Sequence, residues 1–174
     1  MTSVRITFSP QAEAILNRYA QLPVAIPAAI ARGVDEQNEY TVSYIQRDFL
    51  SFPKDQPATL AGLRVQTNRL RGSIRATKAV INDDSVFSSI GSNVKYAAAH
   101  EFGAVIPPHK ITAKNGKALM FIAGGKVFFR RSVNHPGSVL PERAFVRRGL
   151  ADMLGSYKKR ISRNIVAAAQ GGNA

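Results

Sequence analysis

The stretch Asn93–Gly103, NVKYAAAHEFG, constrains the fold more tightly than any other part of the chain. Ser92 or Asn93 can cap a helix, and Val94–Phe102 has the composition to fill one: three consecutive alanines between the aromatics Tyr96 and Phe102. Gly103 offers a left-handed stop. Upstream, SVFSSIGS carries Val86, Phe87 and Ile90 and reads as a strand ending on a glycine turn. Downstream, Pro107-Pro108 forbids helix, so the backbone must turn extended at once. Strand, short helix, β segment: that order predicts an α+β fold.

The β segment is long. Ile106–Lys114 reads as extended, Asn115-Gly116 is a type I′ turn signal, and Ala118–Ile122 and Lys126–Arg131 flank Gly124-Gly125 as the arms of a hairpin. An insertion over about 104–133 is expected, with 134–138, NHPGS, as loop. Before the central helix, Leu70, Ile74, Ala76 and Val80 share one strand face and Arg69, Arg71 and Arg75 the other. The alternation is convincing only from Ile74, and the first residues of the segment could instead finish a helix. Asn82–Ser85 is a turn, and Val86–Ile90 returns as the second hairpin arm.

At the front, Val4–Phe8 alternates like a first strand. Ser9-Pro10 starts a helix that should stop before Pro23. A second helix is expected from Pro27 to Phe49 on the stripe Ile30, Val34, Thr41, Ile45 and Phe49, weakened in the middle by Gln37 and Asn38. Ser51–Pro57 is a break. Pro141 opens a last helix with an apolar stripe at Val146, Leu150, Leu154, Tyr157, Ile161 and Ile165, and residues 168–174 fray. The expected whole is one domain over 1–174: a small antiparallel sheet packed with two or three helices, plus a long β-hairpin insertion.

Charge is the one unusual global property. The formal net charge is +13, and it is segregated: residues 1–60 hold five basic and six acidic side chains, net −1, while the remainder carries +14. Such a field favours a polyanion or an acidic protein surface over mere solubility. Arg69, Arg71, Arg75, Arg130 and Arg131 are the candidates for contacting DNA backbone or an acidic partner. No helix-turn-helix, zinc finger or RNP pattern accompanies them, which argues against sequence-specific reading. Apolar runs are too short to span a bilayer and no signal pattern opens the chain, so a soluble protein without a membrane partner is expected.

Reaction chemistry finds little support. There is no cysteine. His100-Glu101 resembles half of a zinc-protease motif, but position 104, where the second histidine belongs, is alanine. His109 and His135 lie in proline-rich surroundings, no nucleophile elbow or phosphate-cradling loop is present, and Asp83-Asp84 is most simply a turn. No enzyme activity, cofactor or metal is expected. A hydrolase using His100 and Glu101 remains a third reading, which purified protein free of metal would dispose of.

The runs IGSNVKYAAAHEFG and HPGSVLPERAFVRRGL, separated by the β insertion, resemble the tail-component and tail-completion families of long-tailed double-stranded DNA phages. Tyr96, Ala97, His100, Glu101, Phe102 and Gly103 match a "Tyr-Ala … His/Glu-Phe-Gly" segment. Arg143, Ala144, Phe145 and Val146 match an "Arg-Pro-Phe-Leu"-like helix start imperfectly, with Ala144 and Val146 where Pro and Leu are common. Asn68–Ile74 looks like "Thr-Gly-x-Leu-x-x-Ser-Ile", with Asn68 in the glycine place. The likeness covers about 60–153. It implies a non-catalytic late structural protein of the virion, assembled in the host cytoplasm and joining head to tail at the phage neck. Such proteins usually form an oligomeric ring around the DNA channel, here a homo-oligomer with a hexamer as candidate count. Its implied partners are itself, head-completion or connector proteins, tail-terminator or tail-tube proteins, and genomic DNA. Ile106, Ile111, Phe121 and Phe128 of the arm are candidate interface residues; Tyr96, His100, Glu101, Phe102, Gly103, Arg143 and Phe145 are taken as structural. The alternatives are a terminator-like ring protein of tail assembly and a free, non-specific nucleic-acid-binding protein.

Overall fold

The computed structural model describes residues 9–51, 63, 67–83, 85–114 and 116–171. The expected strand at 4–8, the break after Ser51, and Asn115 of the Asn-Gly turn lie outside them. The fold is α+β, with helices and small antiparallel two-stranded ladders. The chain divides into two compact units, 1–94 with 145–174, and 95–144.

The first unit is built on two long helices. α1 runs unbroken from Pro10 to Tyr44, so the two helices expected on either side of Pro23 are one, with Pro23 and Pro27 inside. Each proline removes a helical hydrogen bond, which is why the sequence predicts a stop. Tertiary contacts override it. α4, Phe145–Ala169, lies antiparallel to α1, and the Arg18 guanidinium near the start of α1 donates through Nε, at 2.9 Å, and Nη2 to the Ala169 carbonyl at the end of α4. That bond satisfies a helix-end acceptor with a cation. The end of α4 is correspondingly helical to Ala169, further than the fraying from 168 that the sequence suggests.

The face α1 gives to α4 is largely polar. Gln37, Asn38 and Thr41 are buried, where the sequence marks the first two as a gap in an apolar stripe. Tyr157 Oη donates to Asn38 Oδ1 at 2.6 Å, and Asn38 Nδ2 donates to Ser88 Oγ at 2.7 Å. Arg160 donates to Gln37 Oε1 and to Glu36 Oε2 at 3.1 and 2.9 Å. Paired donors and acceptors make that burial tolerable. The seam on α4 runs through Phe145, Gly149 and Asn164, so Leu154, placed on the apolar stripe, is exposed. Gly149 admits the close approach: a Cβ there would stand 2.4 Å from Ile45 Cγ1.

The apolar core is small and sits at one end of this helix pair. After Tyr44 the helix widens into a π turn, Ile45–Phe49. Ser51 Oγ closes it by donating to the Gln46 carbonyl at 2.5 Å. The turn brings Ile45, Phe49 and Leu50 against Ile74 and Phe145. α2, Arg69–Ser73, precedes β1, Ile74–Ala76, so the helical option for the start of that segment is the one realised. β1 pairs with β4, Ile90–Ser92, and beyond it β2, Val80–Asn82, pairs with β3, Ser85–Phe87. Three residues, 77–79, oppose two, 88–89, in a one-residue bulge. The bulge breaks the face shared by Ile74 and Val80, and Val80 is exposed. Gly91, expected in a turn, is mid-strand.

The second unit is a helical turn and a ribbon. α3 is shorter than the sequence suggests, Ala97–Phe102, with Tyr96 and neither Ser92 nor Asn93 at its N-cap. Ser92 Oγ instead accepts the Val94 N–H. β5, Ala104–Ile106, pairs with β10, Ser138–Leu140; β6, His109–Thr112, with β9, Ser132–His135; β7, Leu119–Ala123, with β8, Lys126–Arg130. The hairpin around Gly124-Gly125 is as expected, both glycines at positive φ. The ribbon reaches Leu140, past the expected 133, because NHPGS supplies parts of two strands. The strands beside Asn115-Gly116 pair with β9 and β8 and not with each other.

Candidate functional site

The two segments that carry the phage-tail likeness meet at the base of the ribbon. Arg143 N–H donates to the His100 carbonyl and Ala144 N–H to the Glu101 carbonyl, both at 3.0 Å. The last carbonyls of α3 are thus satisfied by a segment about forty residues downstream. Gly103 has φ 75° and ψ 163°, a region that only glycine enters freely. A Cβ there would lie 3.1 Å from the Glu142 nitrogen and the Leu140 oxygen. His-Glu-Phe-Gly and Arg-Ala-Phe are therefore two halves of a clasp closing the ribbon. Tyr96 packs edge-on against the His100 ring, with centroids 6.0 Å apart. Glu101 is buried, Phe102 is exposed, and Phe145 belongs to the core of the first unit.

His100 is half-buried, and its Nδ1 has no hydrogen-bond partner. Burial first, and the neighbouring Arg143 cation second, push its pKa below the ordinary histidine value. The folded state therefore prefers neutral imidazole. Its contribution to stability is complete above the unfolded pKa of about 6.5 and is lost as pH falls through the depressed folded value. Between pH 7.5 and pH 5, thermal unfolding followed by circular dichroism should lose less stability in His100→Gln than in the parent. An equal acid loss in both would show that this imidazole is not responsible.

The ribbon has two unlike faces. Phe121 and Phe128 stand directly opposite, rings stacked with centroids 5.6 Å apart, and the Arg130 guanidinium lies 5.9 Å from the Phe128 centroid. That face is half-covered by its own side chains. Met120 opposite Phe129 and Ile122 opposite Val127 form the other face, all four between 53% and 70% exposed. At the base, Val105 and Val139 form another exposed pair. Of the residues named from sequence, Ile111 is exposed and Ile106, Phe121 and Phe128 are half-buried. The bare apolar face is their neighbours'. LMFIA is apolar at every position and KVFFR at its three central ones, so no alternation within the apolar run marks which side is which; the register decides it.

The basic candidates separate by unit. Arg130 and Arg131 are exposed on the ribbon; Arg69 and Arg75 are exposed on α2 and β1. Arg71 is tied down, donating to Asn68 Oδ1 at 2.6 Å and Ser51 Oγ at 2.9 Å. His109 and His135 stack across the ribbon at 5.0 Å. Among the described residues no three His, Cys, Asp or Glu side chains gather as metal ligands would, and no helix is long and apolar enough to cross a membrane. No family model, curated protein or solved structure matches the chain.

Proposed function

We propose that this chain is a structural subunit of the neck of a long-tailed double-stranded DNA phage, joining head to tail as a homo-oligomeric ring and catalysing nothing. The observation that carries the assembly reading is the ribbon. It is two-stranded throughout, among the described residues no third strand pairs with it, and one apolar face is bare. Such a ribbon is marginal alone in water and leaves open edges that invite a partner. The neck assignment rests on the order of the tail-like segments in the sequence, and the clasp supplies a physical reason for that order.

The occupant of the bare face is a second copy. Residues 104–140 carry six lysines and arginines and no carboxylate, whereas α1 carries two basic and four acidic side chains. The first half of α1 also exposes Ile15, Leu16, Tyr19 and Val24. Asp35 and Glu36 are already paired with Lys78 and Arg160, so what α1 offers the basic apolar ribbon is this exposed apolar patch, with Glu13 beside it and Glu39 further along. A contact between two different patches is heterologous and closes into a ring when the rotation permits.

Native mass spectrometry and light scattering of the full chain should find a discrete multi-subunit species. Met120→Asp with Phe129→Asp should convert it to monomer with an unchanged circular dichroism spectrum. Persistence of the same oligomer in the double variant would overturn the ribbon interface. Electron microscopy of particles assembled without the protein tests the neck: separate heads and tails are expected, and normal infectious particles would end the assignment.

A further inference from the structure

Two hollows in the first unit are lined by cations, and they differ chemically. One lies between α1 and α4, with Arg47 and Arg160 in its wall. Arg47 is bound to Asp48 at 2.8 Å and Arg160 to Glu36 at 2.9 Å, so two of its four cations already have carboxylate partners, while Lys159 and Arg163 complete the wall. The other is an open hollow of about 730 Å³ between α2, β1 and β4. Its wall holds Arg69 and Arg75, hydroxyls including Thr77 and Ser89, the Asn93 amide, and no carboxylate.

The local structure explains why this hollow exists. In the β1–β4 register Arg75 stands directly opposite Gly91, and residues so paired present their side chains on one face about 5 Å apart. With no side chain at Gly91, the surface beside Arg75 is bare; a Cβ built at Gly91 or at Gly72 meets nothing within 4 Å. Arg75 uses one N–H on its own strand, donating to the Ile74 carbonyl at 2.9 Å. The rest of its guanidinium fork is left for a ligand. The serine pair deeper in the wall is committed: Ser73 Oγ donates to the Leu70 carbonyl, Ser92 Oγ lies 2.6 Å from Ser73 Oγ, and Ser92 accepts the Val94 N–H. Those bonds hold the wall in shape.

We propose that this hollow binds the phosphodiester backbone of double-stranded DNA, with Arg69 and Arg75 as its phosphate ligands and Gly91 as the opening that lets the backbone approach. Two forked cations without a carboxylate, beside small polar groups and a bare glycine floor, match tetrahedral phosphate and the sugar next to it. Nothing in the hollow reads base edges, so the contact is independent of sequence. The inference rests on the neck reading only for which phosphate polymer passes; the site itself stands on its own geometry.

The test uses full-length protein, a fluorescein-labelled 20-base-pair duplex and anisotropy across a salt series. Arg69→Ala with Arg75→Ala should weaken binding at least about tenfold at 50 mM salt and lower the slope of log K against log salt by about 2, one for each phosphate no longer neutralised. Gly91→Asp, which sets a carboxylate opposite Arg75 and leaves both arginines in place, should weaken binding similarly. Arg71→Ala also removes one positive charge, but its guanidinium is committed elsewhere, and binding should change less than about twofold. Equal losses for all three variants would reduce the hollow to general charge and overturn the proposal, as would unchanged binding in the double variant. Competition by millimolar inorganic phosphate as effective as by unlabelled duplex would assign the site to a free anion instead. Native mass spectra of the same variants separate the two readings: an intact oligomer with lost DNA binding upholds both, and an intact oligomer with unchanged binding removes the hollow alone.

Discussion

Phe145→Ala lowers the unfolding free energy of the first unit by about 3–5 kcal/mol, the usual range for emptying a buried phenylalanine site. Phe145 is 2% exposed and packs with Ile45, Phe49, Leu50 and Ile74. These few side chains are the whole buried apolar cluster among the described residues, and the α1–α4 seam beside them is stabilised by hydrogen bonds instead. Val42, Tyr44, Leu70, Ile90 and Val146 pack around the cluster only partly buried, and how far they move in to fill the cavity sets where in that range the loss falls. Urea unfolding measures it, and the accompanying fall in Tm should be about 10 °C or more. Phe145→Leu, which retains most of the volume, should recover more than half. A loss below about 1 kcal/mol for Phe145→Ala, against the range expected of a buried aromatic, would mean that this cluster is not what holds the unit together.

Ala144→Pro should be at least as damaging to the clasp, by about 3 kcal/mol or more, for two independent reasons. Ala144 has φ 49°, which a proline ring locked near −65° cannot adopt. Its N–H is also the donor to the Glu101 carbonyl. Ala144→Gly should go the other way, gaining about 1 kcal/mol by relieving left-handed backbone at a residue that bears a Cβ. Hydrogen exchange at residues 100–104 and 138–144 reads both: faster in the proline variant, slower in the glycine one. Opposite signs for the two variants are the result the geometry requires. Proline is the residue common at this place in the tail-like pattern, so here the chain departs from that pattern in backbone conformation as well as in identity.

Local chemistry makes much of the fold legible. Gly124-Gly125 between two apolar runs suits a tight hairpin, Pro107-Pro108 forbids helix, and Asp83 after Asn82 marks the turn between β2 and β3. The helical option for the residues before Ile74 is α2. What fails is any inference that treats a residue's preference as if nothing else touched it. Pro23 and Pro27 break helices in isolation, yet α1 passes through them with Arg18 bonded to the end of α4. Gln37 and Asn38 are poor core residues, and they are buried because Arg160 and Tyr157 bring their partners from about 120 positions away. Asn115-Gly116 is a good hairpin turn, but the preceding strand found a different partner across the ribbon.

The candidate sites divide along the same line. Arg69 and Arg75 are visible in the sequence as basic residues, and so is Arg71; only the bonds to Asn68 and Ser51 separate Arg71 from the other two. The hollow they line depends on Gly91 facing Arg75, a relation between residues sixteen apart that no local pattern encodes. In the ribbon, the aromatic content is plain from sequence while the bare face is not.

By itself the sequence determined the class of fold, the place of the β insertion and the segregation of charge, because these follow from the backbone limits of Pro and Gly and from counting. Tertiary structure alone decided that α1 is continuous, that the tail-like segments close on each other, and which side chains remain uncovered. Those outcomes depend on partners supplied from distant parts of the chain: no single hydrogen bond, about 1 kcal/mol net, outweighs a helix-interior proline at about 3 kcal/mol, but the summed contacts of packed elements do.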